Sequence, residues 1–379
     1  MNRVFLDYQS TTPVAPEVLE AMIPYFTHIY GNPSSTHIFG LEAASAVGSA
    51  RKSIAEMWNV LPEEIIFTSG ATESINMALK GYAAANIKKG RHLITTSIEH
   101  PAVLETMRYL EHFGFEVSYL PVDMNGVVDP EELTKAIRKD TILVSVMWVN
   151  NETGTVQPIE ECALICREHG IPFHTDATQG IGKLPLDLRN VPVSFLSMSG
   201  HKLYAPKGVG IHFRRRYDPP MQMEVQMHGG SHEYGARSGT LNVPFIVGLQ
   251  RAIQLVSDNM GTENNRISEL KQLFLSTLHE TGCSFSENLS STCCVPHTLS
   301  ISLAPLQSNT LLSRMREIAV STGSACSSGS HSASHVLKAL GLTAEAIRGS
   351  LRISFGRPTT QDEVVFAAQT ISNYCKQLK

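Results

Sequence analysis

The middle of the chain alternates short apolar runs with longer amphipathic segments. Apolar runs of roughly four to eight residues between turn residues are typical of buried strands, whereas an apolar position every three or four residues indicates a helix. The pattern predicts seven strands, in the segments EIIFT, RHLITTS, EVSYLP, TILVSVMWV, IPFHTD, SFLSMS and GVGIHF. It also predicts helices near 72–84, 102–113, 130–139 and 158–169. Strands that alternate with helices favour an α/β fold with a mostly parallel sheet.

The pattern changes after this region. Long helical periods run from 243 to 280, and we expect an interruption at NMGTENN, residues 259–265, because small and polar residues break the apolar period there. Further on, HTLSISL and SLRISF predict strands, and the apolar periods predict helices over 308–319 and 361–377. Strands and helices mixed in this way are typical of a smaller α+β unit.

These patterns predict two domains. We expect a large α/β domain over 14–258 and a small α+β domain formed by 1–13 and 259–379. A chain of 379 residues is long enough for each domain to bury a core without disulfides or metal ions. Hydrophobic residues make up 42% of it, but no apolar run approaches the ~20 residues that span a bilayer, so we expect a soluble protein without membrane contact.

Charge and cysteine content exclude several classes of protein. A formal net charge of −4 provides no electrostatic attraction to nucleic acid, so we expect no direct nucleic-acid partner. The start, MNRVFLDYQS, lacks the apolar core and cleavage site of a secretory signal, which favours the cytoplasm. Seven cysteines without zinc-finger spacing predict neither a disulfide framework nor a metal site. We expect Cys162 and Cys166, one helical turn apart, to be buried as small hydrophobic residues.

Polar residues that directly follow apolar runs are the candidates for chemistry, because ligands of a parallel sheet bind beyond the carboxyl ends of its strands. In FTSGATES, Ala71 and Thr72 begin a helix after a glycine turn, where free N–H groups favour a phosphate. A simple helix cap at Thr72 is an equal alternative. In FHTDATQG, Asp176 ends a strand shortly before Gln179. A carboxylate there either keeps a heteroaromatic nitrogen protonated or caps a helix.

Three further motifs add reactive groups. SMSGHK places Ser199, His201 and Lys202 after a strand, and a lysine with a lowered pKa forms Schiff bases. A phosphate cradle, an acid for a pyridinium and a lysine for an aldehyde are the parts that hold pyridoxal phosphate. His100, in TSIEHPA, either stacks on such a cofactor and moves protons or caps a helix. Cys326, among the small residues of STGSACSSGS, predicts a mobile, accessible loop with a reactive thiol.

With these motifs, the sequence resembles the cysteine desulfurases of the NifS/IscS group, which are pyridoxal-phosphate enzymes of the aspartate aminotransferase fold (fold type I). The resemblance extends from LDYQSTTPV at residue 6 to SLRISFGRPTT at residue 350 and includes, in family order, YGNPSSTH, FTSGATES, EHPAVLET, VMWVNNETG, HTDATQ, SGHKLYAPKGVG, MHGGSHEYGARSGT and GSACSSGS. It implies conversion of L-cysteine to L-alanine. A selenocysteine lyase, another pyridoxal-phosphate lyase and a non-catalytic sulfur-transfer subunit remain alternatives.

The resemblance also implies how the cofactor is bound. It implies that Lys202 binds the cofactor aldehyde as a Schiff base and that Asp176 pairs with the pyridine nitrogen. Gln179 would contact the ring hydroxyl, and Asn151 would lie close to the ring and orient the substrate. The implied phosphate ligands are Thr72, Ser199, His201 and, from the second subunit of a homodimer with shared sites, Thr240, and Ala71 is a further cofactor-binding residue.

For the reaction, the resemblance implies that His100 is the acid/base and that Arg352 binds the substrate carboxylate in a bidentate pair. Cys326 would accept the sulfur as a persulfide and pass it to an acceptor protein. The sequence ends at Lys379, before the C-terminal tail with which the IscS type docks an iron–sulfur scaffold. The acceptor therefore stays open between iron–sulfur cluster assembly, tRNA thiolation and DNA phosphorothioation.

Overall fold

The apolar runs of the middle of the chain form one large sheet. The structure, a computed structural model, describes residues 3–217, 220–322 and 333–378. Its strands are β1 (Val4–Phe5), β2 (Ile65–Thr68), β3 (His92–Thr96), β4 (Glu116–Leu120), β5 (Thr141–Ser145), β6 (Phe173–Asp176), β7 (Phe195–Ser199), β8 (Gly210–Arg214), β9 (Ser286–Glu287), β10 (Thr298–Ser302), β11 (Ile318–Ala319) and β12 (Ser350–Ser354). Each strand expected from the apolar runs is present.

Helices occupy most of the intervening segments. They are α1 (Pro16–Met22), α2 (Pro24–Thr27), α3 (Ile38–Trp58), α4 (Ala71–Asn86), α5 (Pro101–His112), α6 (Pro130–Ala136), α7 (Ile159–Glu168), α8 (Val243–Glu280), α9 (Ser308–Arg314), α10 (His335–Ala339), α11 (Ala344–Arg348) and α12 (Gln361–Gln377). Prolines begin several of these helices, where the missing N–H has no helical partner in any case. Among the described residues, no helix is both long and apolar enough to cross a membrane.

The large sheet has the strand order β2-β8-β7-β6-β5-β3-β4. Strand β8 runs antiparallel to both of its neighbours, and the other neighbouring pairs are parallel. Consecutive residues of one strand point to opposite faces of the sheet and therefore pack into different cores. Leu93 joins the core under α4 and α5, whereas Ile94 joins the core formed with α3, α7 and α8. The mostly parallel α/β architecture predicted from the sequence is confirmed.

A second, smaller sheet lies in the last third of the chain. Strands β12, β10 and β9 pair in that order and antiparallel, and β1 pairs parallel with β11. Their apolar side chains form a separate core with α12 and the end of α8, which includes Phe274, Ile301, Ile353 and Ile371. This α+β unit contains both the first strand and the last helix of the chain. The boundaries predicted at 13/14 and 258/259 stay a prediction.

The expected interruption at 259–265 is wrong, because α8 is continuous from Val243 to Glu280. Asn259 Nδ2 donates to the Leu255 carbonyl at 2.7 Å, within the helix, and Asn264 Nδ2 donates to the Lys183 carbonyl at 2.8 Å. The polar run is the part of α8 that passes between the two cores, so tertiary packing on either side outweighs the weak helix propensity of this segment.

The helix predicted over 308–319 is also shorter than expected, since α9 ends at Arg314. The residues that follow α9 include a short strand instead of a further helical turn. Ile318 and Ala319 form β11, which pairs with Val4 and Phe5, and Val4 N–H donates to the Glu317 carbonyl at 2.8 Å. The partner strand lies more than 300 residues away in the sequence, so no local pattern indicates it.

Candidate active site

A cavity of about 460 Å³ lies at the carboxyl ends of β5, β6 and β7. Its size is within the ~300–1,000 Å³ of typical small-molecule sites. The residues predicted from the sequence that line it are Ala71, Thr72, His100, Asn151, Asp176, Gln179, Ser199, His201 and Lys202. The fold thus brings together nine candidates from five separate motifs. The additional lining residues are Gln9, Ser10, Ser69, Gly70, Glu73, Met147, Val149, Thr178, Lys207 and Gly208.

Lys202 lies in the short turn that follows β7. Its Nζ donates to the carbonyl oxygens of Gln9 and Ser10, at 2.6 and 2.7 Å. Both carbonyls belong to the segment after β1, so the N-terminal part of the chain closes one side of the cavity. The side chain is partly buried and lines the cavity, which is the setting that a Schiff-base lysine requires.

Asp176 is the last residue of β6, and only 5% of it is exposed. Its Oδ1 accepts a hydrogen bond from the Thr178 N–H at 3.0 Å. The Thr178 hydroxyl, which also belongs to a residue of the cavity lining, is buried without a hydrogen-bond partner in the described part of the chain. A buried carboxylate in a cavity wall can pair with a protonated ring nitrogen.

His100 is both a helix cap and a residue of the cavity lining. Its Nδ1 accepts a hydrogen bond from the Ala102 N–H at 3.1 Å, at the start of α5. The proton of the neutral ring is therefore assigned to Nε2. Burial lowers the pKa of His100, and the charges of Lys202 and His335 lower it further, while Asp176 opposes them. The ring is consequently neutral at neutral pH.

The turn before α4 forms another part of the cavity wall. Gly70 has φ 156°, and a Cβ there would lie 3.3 Å from Ser199 Oγ. A Cβ on Gly210 would lie 2.6 Å from the Gly70 Cα, so both glycines permit the close approach of β8 to this turn. The first N–H groups of α4, from Ala71 onward, have no partner within the helix, and this arrangement favours an anion.

His201 also lines the cavity. Its Nδ1 lies 3.1 Å from Thr11 Oγ1. Burial lowers the pKa of His201 to about 4, with help from the charges of Lys202 and Lys207. The ring is therefore neutral at neutral pH and can contribute a hydrogen bond rather than a charge.

An ion pair missed by the sequence analysis supports the α4 turn. Arg237 Nε and Nη2 lie 2.7 and 3.3 Å from the two carboxylate oxygens of Glu73, which lines the cavity. Burial raises the pKa of Glu73, but the hydrogen bonds from Arg237 and from Ser69 lower it overall. The partners lie 164 residues apart, so no local spacing indicates the pair.

Two of the predicted site residues that the structure describes, Arg352 and Thr240, do not line the cavity. Arg352 is 1% exposed and lies directly behind the wall, where its Nη1 donates to the carbonyl of the lining residue Asn151 at 2.9 Å. Its Nη2 pairs with Asp7 Oδ1 at 2.7 Å, and its Nε is buried without a partner among the described residues. Thr240 is exposed and lies off the cavity. Cys326 lies outside the described residues.

The described residues on either side of Cys326 contact Arg352 and Glu152, which lie beside the cavity without lining it. On the N-terminal side, the Ser321 N–H donates to the Arg352 carbonyl at 3.1 Å, and the Arg352 N–H returns a bond of 2.6 Å. On the other side, Ser334 Oγ donates to Glu152 Oε2 at 2.6 Å. Ser334 follows Cys326 by only eight residues in the sequence, and eight extended residues span at most about 28 Å.

Two buried acids lie close to these contacts. Glu99 Oε1 accepts hydrogen bonds from Thr96 Oγ1 and the Met147 N–H, both at 2.8 Å, and burial raises the pKa of Glu99 to about 8. Burial likewise raises the pKa of Glu152 to about 7. Glu99 is therefore largely protonated at neutral pH, next to His100 in the sequence.

The site fits pyridoxal phosphate. The glycine-lined turn and the start of α4 match a phosphate, Asp176 matches a ring nitrogen and Lys202 matches an aldehyde, all around one cavity of suitable volume. Among the described residues, no group of histidine, cysteine and acidic side chains has the arrangement of a metal site. Cys162 and Cys166 are buried, as expected, and burial raises the pKa of each thiol.

Comparison with known proteins agrees with this site. The family model described as aminotransferase class-V matches residues 4–365. The cysteine desulfurase IscS of Neisseria meningitidis serogroup C is 48% identical over 99% of this chain and 93% of the relative. A solved NifS-like protein is 40% identical, with a TM-score of 0.91 over 98% of both chains. A structure of SspA in complex with cysteine is 38% identical, with a TM-score of 0.82 over 93% of this chain and 98% of that one.

Proposed function

Because the chain belongs to the aminotransferase class-V family and is a cysteine desulfurase that uses pyridoxal phosphate, we propose that Lys202 binds the cofactor and that Cys326 accepts the sulfur. The observation that carries the first assignment is the convergence of Lys202, Asp176 and His100 around one cavity. The second is supported by the contacts that Ser321 and Ser334 make with the site on either side of Cys326.

Several lining residues have proposed roles that follow from their positions. Bound pyridoxal phosphate supplies an electron sink for cleavage of the carbon–sulfur bond. Asp176 would keep the ring nitrogen protonated, and the amide N–H groups of Ala71 and Thr72 would hold the phosphate at the start of α4. Two further phosphate ligands would be Ser199 and His201.

Two groups of the cavity can exchange protons with the substrate. The Nζ of Lys202 can take a proton from the substrate α-carbon once the lysine is not attached to the cofactor. His100 carries its proton on Nε2, so the neutral ring can donate a hydrogen bond from Nε2, and the imidazolium formed when the ring takes up a proton from the substrate can return a proton. We assign His100 to protonation of groups near the substrate sulfur.

Arg352 would bind the substrate carboxylate. Its buried Nε is a donor without a partner in the described structure, and a carboxylate is the acceptor that best satisfies such a group. The Asp7 and Asn151 contacts hold the guanidinium in place, and Asn151 connects it to the cavity wall.

Sulfur transfer to Cys326 requires no added oxidant or reductant. The Cys326 thiolate attacks the substrate sulfur, a sulfur–sulfur bond forms and the carbon–sulfur bond breaks. The electron pair of the broken bond stays with the carbon skeleton, which takes up protons and leaves as alanine. The persulfide then delivers its outer sulfur to the thiol of an acceptor protein.

We also propose that the chain works as a homodimer. The segment from α1 to the start of α3 exposes a series of large apolar side chains, namely Leu19, Ile23, Phe26, Tyr30, Ile38, Phe39 and Leu41. Phe26 contacts Phe245 of α8, with ring centroids 6.3 Å apart, five residues from the exposed Thr240. Exposed apolar surface of this extent is typical of a protein interface, and Thr240 would lie at the edge of that interface.

Mixed dimers test both the shared site and the role of Lys202. Homodimers of Lys202→Ala should have no desulfurase activity, and homodimers of Thr240→Ala should have reduced cofactor affinity. In a mixed dimer, one site combines an intact Lys202 with a Thr240 donated by the other subunit. Mixing and re-annealing the two variants should therefore restore activity above that of either alone. Absence of any gain would contradict the shared site.

A matched pair of histidine variants tests the role of His100. His100→Gln should lose alanine formation, while His112→Gln, at the exposed far end of the same helix, should retain it. Equal activity of the two variants would contradict the assignment of His100.

A further inference from the structure

Lys183 is a buried lysine that lies next to the cavity without lining it. It is 9% exposed and follows Gln179 by four residues in the segment DATQGIGK. No salt bridge joins it to a carboxylate in the part of the chain that the structure describes. Burying an ammonium group without an opposite charge is costly, so a lysine at this place needs a local reason.

The polar contacts of Lys183 are with two glutamines. Its Nζ lies 2.6 Å from Gln179 Oε1 and 2.7 Å from Gln9 Oε1. The Lys183 Nζ is the donor in both hydrogen bonds, so each glutamine turns its oxygen, not its amide nitrogen, toward the lysine. Lys183 therefore fixes the orientation of both side-chain amides, whose oxygen and nitrogen ends cannot be told apart by shape alone.

The consequences for the two glutamines differ. Gln179 lines the cavity, and its Nε2 donates one hydrogen to the Gln9 carbonyl at 3.0 Å, which leaves the second N–H as a donor. Gln9 Nε2 donates to Thr298 Oγ1 at 2.5 Å, so the whole Gln9 residue is fixed between Lys183 and the small sheet. The same Gln9 carbonyl accepts the 2.6 Å bond from Lys202.

We propose that Lys183 is a positioning residue for the cofactor site: it holds the Gln179 amide so that an N–H is available to the cofactor, and it holds the Gln9 carbonyl against Lys202. This inference rests on the proposed roles of Gln179 and Lys202. Lys183 itself touches neither substrate nor cofactor, and it acts through the two glutamines.

The charge environment fits this role. Burial lowers the pKa of Lys183 to about 7, and the nearby charges of Lys202 and Arg352 act in the same direction. Such a group reduces stability in the absence of cofactor. Replacing it with an apolar side chain of similar length should leave the protein equally or more stable, whereas a purely structural lysine would cost stability when removed.

The experiment uses Lys183→Met in the full-length protein, freed of cofactor. Three quantities are measured: the dissociation constant for pyridoxal phosphate by fluorescence, the pH midpoint of the visible absorption after loading, and the thermal midpoint of the apoprotein. We expect affinity to fall about tenfold, roughly the effect of one hydrogen bond to a charged group. The absorption midpoint should shift, and the thermal midpoint should stay unchanged or rise.

Lys271→Met is the matched control. Lys271 is also buried, and its Nζ donates to the Thr298 carbonyl at 3.2 Å rather than to a cavity residue. Cofactor affinity and the absorption midpoint should be unchanged in this variant. Equal losses of affinity in both lysine variants would overturn the proposal, because any buried lysine would then have the same effect.

A double-mutant cycle with Gln179→Ala tests whether Lys183 acts through Gln179. In that background, Lys183→Met should add less than its single effect on affinity, whereas fully additive effects would overturn the proposal. Lys202→Ala separates this inference from the proposed function. Failed covalent attachment in Lys202→Ala with normal affinity in Lys183→Met overturns the inference alone, whereas intact attachment in Lys202→Ala overturns the proposed function.

Discussion

Arg352 Nη2 and Asp7 Oδ1 lie 2.7 Å apart and join the last strand of the small sheet to the segment that follows β1. The Arg352 side chain is buried from solvent. Its guanidinium also donates a hydrogen bond to the carbonyl of Asn151 in the cavity wall. The residue proposed to bind the substrate carboxylate is therefore fixed before substrate arrives. Preorganisation of this kind lowers the cost of orienting a small substrate.

Arg352→Gln should raise the KM for L-cysteine by about a hundredfold, because it removes a charge-assisted carboxylate contact of ~3 kcal/mol. Arg352→Lys should recover only part of this, since an ammonium group lacks the planar fork of donors. Steady-state kinetics at saturating pyridoxal phosphate measure the effect. A KM near the wild-type value in both variants would contradict the assignment of Arg352.

Glu99→Gln should change how stability depends on pH. The folded pKa of Glu99 is about 8 and its ordinary value is 4.5, so between these values the folded state holds a proton that the unfolded state has lost. The wild type should therefore lose ~1.4 kcal/mol of unfolding free energy per pH unit from about 4.5 to about 8 through this group. The Glu99→Gln variant should not show this loss of stability with pH, because glutamine resembles the protonated acid.

The measurement is urea unfolding of both apoproteins at several pH values across that window. The stability of Glu99→Gln relative to wild type should increase steadily with pH. A difference that stays constant with pH would mean that Glu99 is ionised in the folded protein.

Gly210→Ala should destabilise the protein by about 1–3 kcal/mol and weaken cofactor binding. The added Cβ would meet the Gly70 Cα at 2.6 Å and also the Met198 carbonyl, and these are backbone atoms that cannot move without shifting the turn before α4. Gly261→Ala is the control, because a Cβ in that exposed part of α8 meets nothing within 4 Å. It should stabilise the protein by up to ~1 kcal/mol. Equal stability of the two variants would contradict the close packing at Gly210.

The sequence predicts the parts of the site that depend on strand ends. Asp176 and Ser199 each end an apolar run, and the parallel sheet then brings them to one edge. The hydrogen bonds among Gln9, Gln179 and Lys183 behind the cavity are not indicated by any local sequence pattern. Gln9 and Lys183 lie 174 residues apart and meet only because the N-terminal segment packs against the turn after β6.

The long helix shows the same limit for the fold. Local propensity at Gly261 and its polar neighbours indicates a break, yet α8 runs through, because both of its ends are held by separate cores. Helix propensity is a difference of tenths of a kcal/mol per residue for most residues, and burial of apolar side chains on either side exceeds it.

The most direct test of the whole account is a side-by-side measurement on wild type, Cys326→Ala and Cys294→Ala. Each protein is given L-cysteine with a reductant, and the alanine and sulfide formed are quantified. In a second reaction without reductant, the mass of the peptide that contains residue 326 is measured by mass spectrometry. We predict equal amounts of alanine and sulfide from wild type and Cys294→Ala, with one extra sulfur atom on Cys326. Cys326→Ala should bind pyridoxal phosphate normally and form no alanine. Full alanine production by Cys326→Ala would contradict persulfide formation at Cys326 and indicate direct elimination of sulfur.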